Sequence, residues 1–218
     1  MPFNYLYQKK IVRMVFKAIK FVAEAHQGHY RKGTNIPYIS HLMNVMKILC
    51  EIGCNKEVIT AGILHDVVED TSVSIEEVER IFGKRVAAIV EGASEPDHIR
   101  NGPNGKGPWR LRKQHTIGFI SKEATLEQLL VLCADKVDNT EAIRHDFILK
   151  GEKLWERFNA PKGDQQWYYN SIAAAFEQRS IEFGEPLSGI SKKLTDNVNV
   201  IFGIATKAQN HQSPPNLM

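Results

Sequence analysis

The segment NKEVITAGILHDVVEDT, residues 55–71, sets the terms for the rest of the chain. Val58, Ile59, Ala61, Ile63, Leu64, Val67 and Val68 leave a helix over 56–69 apolar almost all round, so it belongs at the centre of a fold rather than on its surface. At its end stand His65, Asp66, Glu69 and Asp70. Helical spacing puts His65 on one face with Glu69 and Asp66 on one face with Asp70, four polar groups on a single turn. Three carboxylates that close repel one another, and a stable fold needs a cation, protonation or heavy solvation there. A divalent metal meets that need most simply. On these residues alone, a solvated helix end with a chance cluster of acids is the alternative.

The flanking sequence supplies more helix. Residues 5–25 carry Leu6, Ile11, Val12, Val15, Phe16, Ile19 and Val22 at a spacing of three and four, an amphipathic pattern. Residues 26–39, with two glycines, a proline and the pair Arg31 and Lys32, read as a loop. Ser40 is the expected N-cap of the next helix, with His41 in its first turn. Asn55 caps the central helix, and Ser74 with Glu77 has capping-box spacing for a short one. Another short helix is expected over 85–91.

Gly102, Pro103, Gly105, Gly107 and Pro108 fall within seven residues, which predicts a long, mobile loop over 92–108. Helices are predicted over 109–120, 125–147, 153–158 and 164–183. Asp135 lies inside the apolar run LEQLLVLCADKV and wants a metal or a basic partner, with Lys136 expected on a different face. Ile190, Leu194, Val198, Ile201, Phe202 and Ala205 form a last amphipathic stripe, before a tail expected to be disordered after Lys207. No strand pattern of useful length is present. The expected fold is all-α, one domain of about eight helices.

The 218 residues suffice for one full core, and a net charge of +3 is too small to argue for nucleic acid. Local charge says more. From His98 to Lys122 come Arg100, Lys106, Arg110, Arg112, Lys113 and Lys122 without an acid, an electropositive segment. Cys50, Cys54 and Cys133 form no paired framework and are expected as buried free thiols of a reducing compartment. Lys and Arg interrupt the N-terminal apolar residues before signal length, and no run approaches about 20 apolar residues. A soluble, cytoplasmic protein is expected, with no membrane partner. Trp155, Trp167 and the terminal stripe suit a core or a homodimer contact equally.

Candidate ligands recur along the chain: His41 at a helix start, the pair His65 and Asp66, and Asp135 within an apolar helix. Two imidazoles and two carboxylates suit a divalent ion such as Mn, Fe or Zn, with positions left for water and substrate. The order H, HD, D resembles the HD superfamily of metal-dependent phosphohydrolases over about residues 16–183. RKGTNIPYISH, HDVVEDT and ADKVDN resemble the three hydrolase motifs of the RelA/SpoT family, which removes the 3′-pyrophosphate from ppGpp and pppGpp. FGKRVAAIVEGAS and WRLRK look like the small stand-alone members related to the metazoan SpoT homologue.

The resemblance implies a hydrolase domain over 1–183, with 184–218 as C-terminal helix and tail. It implies one Mn2+ held by His41, His65, Asp66 and Asp135, and an acidic pair, Glu69 and Asp70, that positions or deprotonates the attacking water. Arg31 and Lys32 match a basic pair near the phosphates, and Asn139 an Asn that faces the nucleotide. Lys113 and Tyr168 are looser substrate-binding assignments. Leu42 stands where the family commonly has Pro, and Asp138 where it often has His. The implied activity is ppGpp or pppGpp 3′-pyrophosphohydrolase without synthetase, since the chain has no length for synthetase, TGS or ACT regions. The alternatives are an HD-type nucleotidase or NADPH phosphatase, and a non-catalytic nucleotide-binding module.

Overall fold

A computed structural model describes residues 5–96, 99, 101–102 and 105–209, with side chains over 13–96, at 99 and over 107–203. The α-helices in chain order are α1 (Tyr5–Ala25), α2 (Ile39–Glu51), α3 (Lys56–Leu64), α4 (Val67–Asp70), α5 (Ile75–Phe82) and α6 (Lys84–Ala93). After them come α7 (Trp109–Lys122), α8 (Leu126–Lys150), α9 (Lys162–Phe183) and α10 (Leu187–Gln209), with a 3-10 helix, Gly151–Arg157, between α8 and α9. The only strands among the described residues are β1 (Asn101–Gly102) and β2 (Gly105–Lys106), an antiparallel ladder of two residues each. The fold is all-α, as its periodicity predicts.

Helix α3 is the hub. Every residue from Val58 to Leu64 is buried, and α3 packs against α1, α2, α6 and α8. Gly62 permits the close approach of α2, since a Cβ at that position would fall 2.2 Å from Leu49 Cδ1. Helix α8 is the second axis, in contact with α2, α3, α6 and α10. Its hydrophobic half contains Leu129, Val131, Cys133, Ala134 and Val137, each fully buried. Burying a Leu or Val side chain stabilises a fold by roughly 1.5–3 kcal/mol, so the mutual contact of α2, α3 and α8 is held firmly. His41 lies on α2, Asp135 on α8, and His65 and Asp66 directly beyond α3.

The helix expected over 56–69 is broken in two. It stops after Leu64, and Asp66 precedes the single turn of α4. In a continuous helix successive side chains diverge by about 100°, whereas the interruption lets His65 and Asp66 both face inward.

Caps explain the other boundaries. Asn55 Oδ1 accepts from Val58 N–H at 3.0 Å, Ser74 Oγ from Glu77 N–H at 3.3 Å, and Thr125 with Gln128 completes a reciprocal capping box at the head of α8. Ser40 is not a cap: α2 begins one residue earlier, and the Ser40 hydroxyl donates to Pro37 O at 2.8 Å. The cysteines are free, but only Cys133 is buried; Cys50 is exposed on the last turn of α2 and Cys54 is intermediate.

The terminal stripe is used within the chain. Ile190, Leu194, Val198, Ile201 and Phe202 are buried where α10 packs on α8 and α9, and Trp155 stacks on Phe202 with ring centroids 5.5 Å apart. Within the predicted 92–108 loop, residues 92–93 close α6, 101–102 and 105–106 form the short ladder, and 97–98, 100 and 103–104 lie outside the described residues, as does the tail from 210. No helix among the described residues is long and apolar enough to cross a membrane.

Candidate metal centre

Three packed elements bring four inward-facing side chains together. His41 Nε2 lies 3.5 Å from Asp66 Oδ2 and 3.2 Å from Asp135 Oδ1. His65 Nε2 lies 2.9 Å from Asp66 Oδ2 and 3.8 Å from Asp135 Oδ1. The donor atoms of His41, His65 and Asp66 all fall within 4.8 Å of one another, a spacing that can hold a metal ion. Both imidazoles are buried, at 2% and 3% exposure.

The outer ring nitrogens decide what the inner ones can do. His65 Nδ1 faces Gly62 O at 2.9 Å, an acceptor, so Nδ1 carries the proton. His41 Nδ1 faces Asp138 Oδ2 at 2.6 Å and is likewise a donor. Each neutral ring then presents the lone pair of Nε2 to the centre, the arrangement that metal-binding histidines adopt. His65 Nε2 is buried without a hydrogen-bond partner among the described residues, although a carboxylate oxygen is 2.9 Å away. With Nδ1 carrying the proton, the Nε2 lone pair faces the carboxylate oxygen, two electron-rich atoms at close range that a shared proton or cation must bridge. The donor set therefore fits a divalent metal of borderline or hard character.

The charges of the metal-free site agree. Burial disfavours the imidazolium of His41, yet the carboxylates of Asp135, Asp138 and Asp66 outweigh it and push its pKa up to about 9. His65 is raised well above the usual histidine range, against burial, by Asp66 and Asp135. Burial works against the carboxylate forms of Asp66 and Asp135 too. His65 and His41 hold Asp66 well below the usual range, and Lys136 with both histidines does the same for Asp135. Two protons on the rings stand in for the missing positive charge, and a metal would displace them.

Residues beyond the four shape the site. The Tyr38 hydroxyl donates to Asp66 Oδ2. Asp138 receives three groups: His41 and Arg31 NH1 on Oδ2, the latter at 3.1 Å, and Asn44 Nδ2 on Oδ1 at 2.8 Å. Asn139 Nδ2 donates to Asp135 Oδ1 at 2.5 Å, while its Oδ1 accepts from Arg31 NH2 at 3.3 Å. Lys136 corrects the expectation that it would point elsewhere. Its long stem turns back, and Nζ donates to Asp135 Oδ2 at 2.5 Å, because a buried ammonium needs that charge as much as the carboxylate does.

Glu69 Oε1 accepts from the backbone N–H of Glu95 at 2.6 Å, and burial, with help from Asp66, pushes its carboxyl up to about 7. Asp70 is exposed at the end of α4. Lys113 Nζ and Arg112 NH1 clasp the Glu95 carboxylate at 2.9 and 2.5 Å, and Lys113 sits over the Tyr168 ring, 5.2 Å from its centroid. The Tyr168 hydroxyl is buried and unpartnered among the described residues.

Two adjoining clefts flank the centre. One, about 240 Å³, is lined by Lys32, Arg112, Lys113 and Lys136 together with Tyr168. The other, about 310 Å³, includes Arg31, Ile143, Asp146, Arg157 and Phe158. Asn139, Lys32, Phe158 and Tyr169 line both. Each sequence-predicted site residue except Asp70 thus lies in the cluster or on a cleft, or, as Glu69 does, hydrogen-bonds the segment that carries Glu95. Tyr38, Asp138, Lys136 and Glu95 were not singled out by sequence as site residues. Asp138 carries the plainest signal, an acid one helical turn beyond Asp135.

The family model for the HD domain matches residues 18–163. A GTP pyrophosphokinase of Streptomyces coelicolor is 32% identical over 142 residues, 65% of this chain and 16% of that protein. A guanosine-3′,5′-bis(diphosphate) 3′-pyrophosphohydrolase of Aquifex aeolicus is 42% identical over 84 residues, 38% of this chain and 12% of that protein. The chain spans less than a fifth of the length of either. Among solved structures, that of a metazoan ortholog of SpoT that hydrolyses ppGpp aligns with a TM-score of 0.63 at 25% identity, covering 88% of this chain and 95% of that one. The matched span contains the two histidines and two aspartates that face one another, and over its length the chain belongs to the HD domain family.

Proposed function

We propose that this chain is a Mn-dependent pyrophosphohydrolase of guanosine 3′,5′-bis(diphosphate), releasing pyrophosphate from the 3′ position and leaving GDP; pppGpp would yield GTP. The observation that carries the reading is a cluster of His and Asp donors whose atoms lie within 4.8 Å of one another, beside a cleft lined by four cations. The named activities of the Aquifex and metazoan relatives support it. We place the catalytic unit within residues 1–183.

His41, His65, Asp66 and Asp135 would hold the ion, with Asp138 and Gly62 O fixing the ring orientations. When bound, a divalent ion neutralises phosphate charge and lowers the pKa of water. The protein's own groups do the rest. Glu69, whose burial raises its carboxyl pKa to about 7, is suited to take a proton from the attacking water, whereas Asp70 is exposed on the same turn and is assigned no contact with the reacting groups. Lys32 and Lys113 bind phosphate oxygens in the cation-lined cleft with Lys136 adding positive charge beside them, and Arg31 reaches the phosphates from the adjoining cleft. Asn139 and Tyr168 orient the nucleotide where the two clefts meet.

Incubation of purified protein with Mn2+ and ppGpp, with products separated by ion-exchange chromatography, tests the reading. GDP and pyrophosphate in equal amounts are expected. Intact ppGpp alongside orthophosphate release from NADPH or another nucleotide would replace it with one of the alternative phosphatase activities.

A further inference from the structure

We infer that Asp146 and Arg157 read the nucleobase and select guanine over adenine. This rests on the reading above, in which the polyphosphate occupies the cation-lined cleft; the nucleoside is then left the larger one. Asp146 lies seven residues beyond Asn139 on α8, about 10 Å along the helix, the scale of a nucleoside. The cleft wall there is apolar and aromatic, with Ile36, Ile143, Phe158 and Tyr169, surfaces on which a purine ring can lie.

Beyond Arg31 and Lys32, which line the same cleft, a charged pair is set into that wall. Arg157 NH1 bonds Asp146 Oδ2, and both side chains are largely buried, at 17% and 16% exposure. The pair is built in rather than incidental. Gly33 adopts φ +68°, and a Cβ there would meet Arg157 Cβ at 3.2 Å, so the 31–36 loop closes directly against the base of this arginine. The guanidinium also lies over the Phe158 ring, 5.0 Å from its centroid. Arg157 and Asp146 are therefore held in fixed relation; Asp146 Oδ1 has the exposed His145 ring at 3.9 Å as its neighbour, an open contact that a base edge can replace, and the guanidinium keeps further N–H groups for a ligand.

Their pattern matches one base. Guanine presents an O6 acceptor beside N1–H and N2–H2 donors; a guanidinium donates to the first and a carboxylate accepts from the others. Adenine reverses the first two positions, placing N6–H2 against the guanidinium and the N1 lone pair against the carboxylate. A well-placed bidentate contact of this kind discriminates by about tenfold or more.

The test is equilibrium binding of GDP and ADP to the Mn-loaded protein by calorimetry, for wild type, Asp146→Asn and Arg157→Gln. Wild type is expected to bind GDP at least tenfold more tightly than ADP. In both variants the ratio should fall below threefold, through loss of GDP affinity and not of ADP affinity. Equal binding of GDP and ADP by wild type, or an undiminished ratio in a folded Asp146→Asn protein, overturns the inference. The readout does not need turnover: a GDP preference without ppGpp hydrolysis overturns the proposed reaction and leaves base selection standing. Hydrolysis with equal GDP and ADP binding does the reverse.

Discussion

Replacing Asp138 should weaken metal binding although its carboxylate does not face the cluster centre. Asp138 Oδ2 takes the Nδ1–H of His41 at 2.6 Å and Arg31 NH1 at 3.1 Å, while Oδ1 takes Asn44 Nδ2 at 2.8 Å. In Asp138→Asn the single remaining acceptor can serve His41 and Arg31, but the new NH2 then meets the NH2 of Asn44. Asp138→Ala removes every acceptor. The His41 ring is then free to rotate or to carry its proton on Nε2, where a metal needs the lone pair. Loss of an outer partner of a ligating histidine typically costs 10–100-fold in metal affinity. We expect a loss near tenfold for Asn and near 100-fold for Ala, about 1.4 and 2.7 kcal/mol. Titration calorimetry with Mn2+ at fixed pH reads the effect directly, with thermal unfolding as a check that the variants fold. Binding by Asp138→Ala within twofold of wild type would refute the claim that this carboxylate sets the His41 tautomer.

Further outcomes follow from the same geometry. Glu69→Gln should lower kcat by roughly 10²–10⁴-fold with Mn2+ content unchanged; because a bound cation pulls the carboxyl below its metal-free value of about 7, the acid limb of the wild-type rate profile should lie below pH 7 and vanish in the variant. Lys136→Met leaves the buried Asp135 carboxylate without its ammonium and should destabilise the metal-free protein by about 3–5 kcal/mol, with part of the loss recovered at saturating Mn2+ in paired thermal melts. Burial lowers His26 from 6.5 to about 4: the unfolded chain takes up a proton below pH 6.5 that the folded chain refuses until about 4, so this residue should cost stability as pH falls through that window and nothing above it. Urea midpoints of wild type and His26→Gln between pH 4 and 8 measure the difference.

What periodicity encodes here was readable in advance, and what depends on long side chains was not. The all-round apolar segment around Ile63 had to be central, and its burial from Val58 to Leu64 follows. His41, His65, Asp66 and Asp135 were readable because polar groups at the ends or in the middle of buried helices must find partners. Helical spacing could not show that the chain turns between Leu64 and Val67, since a continuous helix satisfies the same apolar pattern. Lys136 was misread for a related reason: the angle between neighbouring positions fixes where Cβ points, not where an ammonium four methylenes away comes to rest. Tyr38 and Glu95 act through a hydroxyl and a backbone amide, neither of which leaves a spacing to detect. Ser40 shows that a favourable residue type does not make a cap once the preceding turn, through Tyr38 and Ile39, has already begun the helix.

The central claim is that His41, His65, Asp66 and Asp135 share one divalent ion. Crystals grown with Mn2+ and measured at the manganese absorption edge would test it most directly. The account predicts one anomalous peak per chain, roughly 2–2.3 Å from His41 Nε2, His65 Nε2 and an oxygen of each aspartate. A peak elsewhere, or density in which His41 or Asp135 makes no bond to the ion, would contradict it.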